Sequence, residues 1–400
     1  MSKFEQIKAI DDKYFMNTYS PYEIALVRGD ECTLYDSEGR SYTDFLGGIA
    51  VNALGYNNPI IKRAVKKQLD KVILVSNYFY SEPRGLLAEQ LVKGTHFNKV
   101  FLSNSGAEAN ECAIKLTRKY MKVNGMADKF KIVTALNSFH GRTLATVTAT
   151  GQAKYNEPFA PLPEGFTYVP FNDIDALKKA LSEDGVAAFM IECIQGEGGV
   201  LPATVEYMKA AREITKKNKQ LLIIDEIQTG GSRTGTFYAY KQYNIKPDIV
   251  TLAKAIGGGL PISATVATDK VASAFNKGDH GTTYGANPLT CSVALAVVKK
   301  LKSKAMLDYV KETGEYFMEK LENFRKYAFV KDIRGKGLMI GVEFDKQITV
   351  KDIVIKMLDK GYILNACGNN VLRFIPPLII KKSDIDNMLE ALDAVMREMR

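Results

Sequence analysis

The sequence predicts an α/β protein built on a mainly parallel sheet sandwiched by helices, with a smaller α+β domain attached. Three observations carry that expectation. Five short apolar runs, at 100–102, 132–134, 187–191, 221–224 and 249–252, alternate with helical stretches between about residues 56 and 290. The runs are continuous rather than alternating, as strands covered on both faces require. After residue 290 the pattern changes: a helical stretch from 288 to about 301 leads to strand-like runs at 338–344 and 371–374 and then to a last helix. Four hundred residues also exceed what one small core holds.

Taken in order, residues 1–55 read as an N-terminal segment contributing to the small domain. A strand-like run at 24–27 is followed by turn signals at Gly29-Asp30, Asp36-Ser37 and Glu38-Gly39. Residues 56–290 form the large domain and 291–400 the C-terminal small domain. The last helix is expected to start at Ser383 as N-cap, with Asp386 three residues on. Its apolar positions Ile385, Met388, Leu389, Leu392, Val395, Met396 and Met399 have helical spacing and read as core.

Composition excludes several classes. No run of 18 apolar residues is present, and residues 1–20 lack the apolar stretch of a secretory signal. The net charge of +9 comes from lysines interspersed with acids, which reads as a solvated surface and not as a nucleic-acid footprint. The five cysteines are scattered without a CxxC pair, as expected of reduced thiols in a cytoplasmic protein. Three distant histidines are too few for a histidine metal site.

Chemistry is expected where the runs end. Lys254 follows the run at 249–253 and precedes Gly257-Gly258-Gly259, and Asp225 ends the run at 221–224. Both therefore lie at the C-terminal edge of the sheet, where open α/β sheets bind ligands. A lysine there can form a Schiff base with an aldehyde cofactor, and a buried aspartate can keep a pyridine nitrogen protonated. Those two demands describe pyridoxal 5′-phosphate, PLP. The alternative for Asp225 is an N-cap on a following helix.

Other segments fit the same site less specifically. The small-residue turn at 103–111 lies between a strand and a helix and suits a phosphate, or is a plain N-cap with acids in the first turn. Phe139-His140-Gly141-Arg142 offers a ring for stacking and an arginine for a carboxylate, against a bland core phenylalanine and surface arginine. The loop at 192–199 places two acids among glycines at a strand end, and the turn at 280–288 supplies hydroxyls. No GxxxxGK[ST], GxGxxG or GxSxG pattern competes.

In order along the chain, SNSGAEANE, FHGRT, IQGEGG, DEIQTG, the AK of TLAKAIGGGLPI and TTYGANPL resemble the class III aminotransferases. These are PLP-dependent transferases of fold type I, with a seven-stranded-type sheet in the large domain. The resemblance spans about residues 19–377. Further segments, SNYFYSEP and LRFIPPL among them, are similar to the acetylornithine branch of that class, which works in arginine biosynthesis. That branch implies N2-acetylornithine and 2-oxoglutarate or glutamate as substrates; ornithine, succinyldiaminopimelate and 4-aminobutyrate are the alternative donors.

Carried over residue by residue, Lys254 is the cofactor's covalent anchor and proton shuttle. Asp225 pairs with the ring nitrogen, Gln228 contacts the ring hydroxyl, and Phe139 stacks on the ring beside His140. Ser105, Gly106 and Ala107 hold the phosphate, together with Thr283 of the partner in a homodimer. Arg142, Asn77 and Tyr19 face substrate. Glu197 screens Arg373 from one substrate and releases it for the carboxylate of the other. Relatives usually have proline where Cys193 stands, and an arginine often present near residues 17–22 is missing.

Overall fold

The computed structural model describes residues 1–368 and 370–399, so Arg400 of the expected C-terminal domain lies outside the described residues. Its main sheet has seven strands, in the spatial order Lys99–Ser103, Ser263–Ala267, Ile249–Leu252, Leu221–Asp225, Val186–Glu192, Lys131–Ala135 and Phe166–Val169. The four pairings from Ile249–Leu252 to Phe166–Val169 are parallel. Ser263–Ala267 runs antiparallel to both of its neighbours. The three central strands are buried along their whole length, which is why their sequences show no polar alternation.

Helices cover the sheet. Gly106–Val123 buries Ala109, Ala113, Leu116 and Tyr120 along one stripe, and Pro288–Leu301 packs on the helices Pro59–Leu69 and Glu82–Val92. The five expected strands and the helix at 288–301 lie where the sequence placed them. Two strands of the main sheet escaped it, Phe166–Val169 and Ser263–Ala267. No helix follows Asp225: residues 226–236 are mostly turn, so the N-cap alternative does not apply.

Two smaller sheets lie outside the main one. One is antiparallel, ordered Val330–Lys336, Met339–Phe344, Val371–Phe374, Asn365–Cys367. The other joins Leu26–Asp30, Thr33–Asp36 and Ser41–Asp44 to Tyr362–Ile363, so the two ends of the chain share a sheet. Arg233, fully buried in the turn after Asp225, donates from Nη1 to the carbonyls of Leu338 and Pro376, tying the main sheet's edge to the C-terminal sheet.

The last helix is capped two residues earlier than expected, running Lys382–Arg397 with Lys381 as N-cap. Ser383 is inside it. The carboxylate of Asp384, not Asp386, accepts from the Lys381 backbone N–H at 3.1 Å, and an acid at this position also meets the positive end of the helix dipole.

The helix Lys304–Glu322 meets the hairpin of the C-terminal sheet through a glycine. A Cβ on Gly314 would lie 2.4 Å from the Gly337 carbonyl oxygen. Gly314→Ala is therefore expected to destabilise the protein by about 1–3 kcal/mol through overpacking. The check is a lower denaturant midpoint with an unchanged slope.

Candidate active site

Parallel register delivers three ionisable groups to one edge of the sheet. Asp225 is level with Glu192 on one side and Thr251 on the other, and Lys254 follows three residues after Thr251. The Lys254 backbone has φ +45°, in the left-handed region. For a lysine that is a strained conformation, and such strain collects at functional sites. Around these groups lies a cavity of about 450 Å³, lined among others by Gly106, Ala107, Phe139, Ile227, Gln228 and Pro261.

Asp225 forms the floor of the cavity and is held from three directions. Its Oδ2 accepts from His140 Nδ1 and from Asn110 Nδ2, each at 2.8 Å. Its Oδ1 accepts from the Ile227 backbone N–H at 3.0 Å. Asn110 also donates to the His140 carbonyl at 2.7 Å and accepts from Thr251 Oγ1 at 2.8 Å, which fixes its amide orientation. Burial opposes a charged imidazole, but the Asp225 carboxylate outweighs it and raises the His140 pKa. Glu192, buried behind the same groups, accepts from the backbone N–H groups of Phe139 and Gly196. Loss of solvation pushes its carboxyl up to about 7.

The opposite end of the cavity is a helix N-terminus. Ser105 caps Gly106–Val123 by accepting from the Glu108 N–H at 3.2 Å. The N–H groups of Gly106 and Ala107, in the first turn, have no partner within the helix. Gly141 allows the 139–142 segment to approach this turn. It has φ +141°, and a Cβ there would lie 2.4 Å from Thr146 Oγ1 and 2.9 Å from Ala107 Cβ. Arg142 lies at the mouth, its guanidinium 4.2 Å from the Tyr155 ring centre and without an ion pair among the described residues.

Lys254 projects between these ends. Burial pushes its ammonium below the usual lysine range; Arg373 acts in the same direction, while Glu197, Asp225 and Glu192 oppose. Arg373 is 1% exposed and pairs through Nη1 with Glu197 Oε1 at 2.6 Å. Burial alone would raise the Glu197 carboxyl, but Arg373 brings it below the ordinary value.

Ten of the expected site residues line this cavity: Ser105, Gly106, Ala107, Phe139, His140, Arg142, Glu197, Asp225, Gln228 and Lys254. Arg373 reaches it through Glu197. Three do not line it within one chain. Thr283 is exposed, and Tyr19 is 74% exposed on the N-terminal segment. Asn77 spends its amide on the carbonyls of Thr282 and Gly285. Asn110, Thr251 and Asn365 were not singled out from the sequence. The signal for Asn110 was a polar residue on the apolar stripe of its helix.

Removing Asn110 leaves the His140 carbonyl and Thr251 hydroxyl unpaired, so Asn110→Ala is expected to cost about 1–3 kcal/mol. Asn110→Asp would set a second carboxylate beside Asp225 and raise one folded-state pKa above its unfolded value. The folded state then holds a proton that the unfolded state releases, and stability falls as pH rises above about 4. Denaturation at pH 5 and pH 8 should show the deficit of Asn110→Asp relative to Asn110→Ala growing with pH.

Comparison with known proteins places this geometry in a family. The model of the family described as aminotransferase class-III matches residues 14–396. An acetylornithine aminotransferase of Caldanaerobacter subterraneus subsp. tengcongensis is 49% identical, with 98% of this chain and 99% of the relative covered. A succinylornithine transaminase of Yersinia enterocolitica is 46% identical, covering 95% and 94%. The solved ornithine aminotransferase of Toxoplasma gondii superposes with a TM-score of 0.95 at 32% identity, covering 100% and 97%. This chain belongs to the class III aminotransferases, enzymes that work with pyridoxal 5′-phosphate.

Proposed function

We propose that this transaminase moves the ω-amino group of N2-acetyl-L-ornithine to 2-oxoglutarate, giving N-acetyl-L-glutamate 5-semialdehyde and L-glutamate. The observation that carries the reading is the Glu197–Arg373 pair at the cavity wall. An ω-amine donor brings a bare methylene to the reacting position, whereas glutamate brings a carboxylate there. A buried arginine needs a partner in the first case and must surrender it in the second. A carboxylate that pairs with it and can swing away meets both needs. The 49% identity to an acetylornithine aminotransferase supports the choice of donor.

The cavity fits the cofactor at each point. The free N–H groups of Gly106 and Ala107 at a helix N-terminus suit its phosphate, with Ser105 shaping the turn. Phe139 and Ile227 offer apolar walls for a flat ring. Asp225, steadied by His140 and Asn110, suits a protonated ring nitrogen, and Gln228, which lines the same cavity, would contact the ring hydroxyl. Bound PLP supplies an aldehyde that takes up the amino group and a ring that withdraws electrons from the carbon losing its proton.

The protein's part is positional and acid–base. Lys254 would anchor the cofactor and move the proton; its lowered pKa raises the share of neutral amine near pH 7. Arg142, unpaired at the mouth, takes the substrate carboxylate far from the reacting carbon. Asn77 and Tyr19, which do not line the cavity within one chain, are proposed to face substrate only in the assembled enzyme.

That assembly is proposed to be a homodimer, with Thr283 reaching the partner's phosphate site. Tyr78 and Tyr80 are 94% and 99% exposed, and Tyr284 is 66% exposed. Asn77 bonds the 76–80 loop to the 282–285 loop, so the two loops that carry these exposed aromatics are joined. The working units are residues 56–290 for the cofactor and 1–55 with 291–400 as the smaller domain. The enzyme is proposed to act in the cytoplasm on small molecules, without nucleic acid or membrane. No helix among the described residues is long and apolar enough to cross a membrane.

The test mixes the PLP form with N2-acetylornithine, without keto acid, and follows the cofactor's visible absorbance. Conversion faster than with ornithine or succinylornithine is expected. Conversion by glutamate alone would move the donor to another ω-amine. Lys254 should also capture added PLP in the apoenzyme at a rate that tracks its neutral amine. Because burial lowers its pKa, capture should hold at pH values where an ordinary lysine is fully protonated, and decline only below that lowered pKa.

A further inference from the structure

Arg373 is gripped on two sides, and only one grip is a carboxylate. It lies on the strand Val371–Phe374, and antiparallel register sets Asn365 directly opposite it, with both side chains on one face of the sheet. Asn365 Oδ1 accepts from Arg373 Nε at 3.0 Å and from Nη2 at 2.6 Å, covering that edge of the guanidinium. Nη1 donates to Glu197 Oε1 at 2.6 Å and to Gln228 Oε1 at 3.3 Å. A guanidinium has five N–H groups in a fixed fork. Two are therefore held by Asn365, and when Glu197 withdraws, the end formed by Nη1 and Nη2 is the edge left for an incoming carboxylate.

We propose that Asn365 is a positioning residue, a neutral clamp that holds Arg373 in place while Glu197 leaves. The inference rests on the reading of Arg373 as the receptor for the second substrate's carboxylate. Its physical content is the difference between asparagine and aspartate, which have the same shape. Either would satisfy Nε and Nη2 in a buried setting. An aspartate would also neutralise Arg373 permanently, so no uncompensated charge would await glutamate or 2-oxoglutarate. A neutral acceptor fixes the guanidinium without masking it. Fixing it beforehand also removes the ordering cost that a loose arginine would add to each carboxylate bound.

The experiment titrates 2-oxoglutarate calorimetrically into the PLP form of the holoenzyme, where it binds without turnover. The glutamate and acetylornithine half-reactions are then measured separately. Asn365→Asp should weaken 2-oxoglutarate binding and raise the glutamate KM by about tenfold or more, with a clearly smaller effect on the acetylornithine half-reaction. Asn365→Ala should show the same bias at about three- to fivefold, because the arginine is loosened but not masked. An Asn365→Asp enzyme that binds 2-oxoglutarate as the wild type does would overturn the clamp. So would equal losses in the two half-reactions, the signature of a merely structural asparagine. If Asn365→Asp does not fold, the bias or its absence in Asn365→Ala decides. Arg373→Ala in the same titration reports on the underlying reading. Unchanged affinity there removes Arg373 as the receptor. Lost affinity there, with wild-type behaviour of Asn365→Asp, removes only the clamp.

Discussion

Asp225 is the residue on which the rest of the site depends. A carboxylate at the end of a fully buried strand costs several kcal/mol unless its oxygens are satisfied. Here three N–H donors satisfy it, and each comes from a different part of the chain. Asn110 comes from the helix that begins at the proposed phosphate turn. His140 comes from the segment that carries Phe139 and Arg142. The Ile227 amide comes from the turn that also carries Gln228. Satisfying one buried charge therefore orients the helix, the stacking segment and the turn together. Thr251 extends the network to the neighbouring strand, three residues before Lys254.

What the sequence disclosed follows from where burial is symmetric. Strands covered on both faces read as plain apolar runs and were legible. Phe166–Val169 is an edge strand, mostly half-buried or exposed, and offers no such run. Ser263–Ala267 is fully buried but made of small and hydroxylated residues, so its burial leaves no apolar signal. Its hydroxyls are satisfied across the fold, Ser263 by Ser103 and Thr265 by the Ala109 carbonyl. Those partners are more than 150 positions away, and no local rule anticipates them.

The site divides along the same line. Lys254, Asp225 and Gln228 were legible because strand ends point to a place and the residue types point to a chemistry. The groups that hold them were not. Asn110 and Asn365 belong to no catalytic residue class, and what they do depends on contacts across 115 and 8 positions respectively. The start of the last helix teaches the same point locally. Ser383 has the preferred capping side chain, but Asp384 captures the Lys381 N–H and shifts the boundary.

The charges in the cavity also limit what two substrates can do to one lysine. Burial and Arg373 both disfavour the ammonium of Lys254, while Glu197 favours it. The paired Glu197 and Arg373 thus act in opposite directions at Lys254. If Glu197 left and nothing replaced it, Arg373 would be opposed only by the carboxylates of Asp225 and Glu192 and would depress the lysine further. In the proposed cycle the vacated position is taken by a substrate carboxylate of the same charge. The lysine then faces a carboxylate beside Arg373 in both halves, although the substrates differ at the reacting carbon. A permanent second carboxylate beside Arg373 would add a negative charge near the lysine in both halves and favour its ammonium throughout. The neutral side chain at position 365 is consistent with a site whose charge count is conserved through exchange of one carboxylate for another.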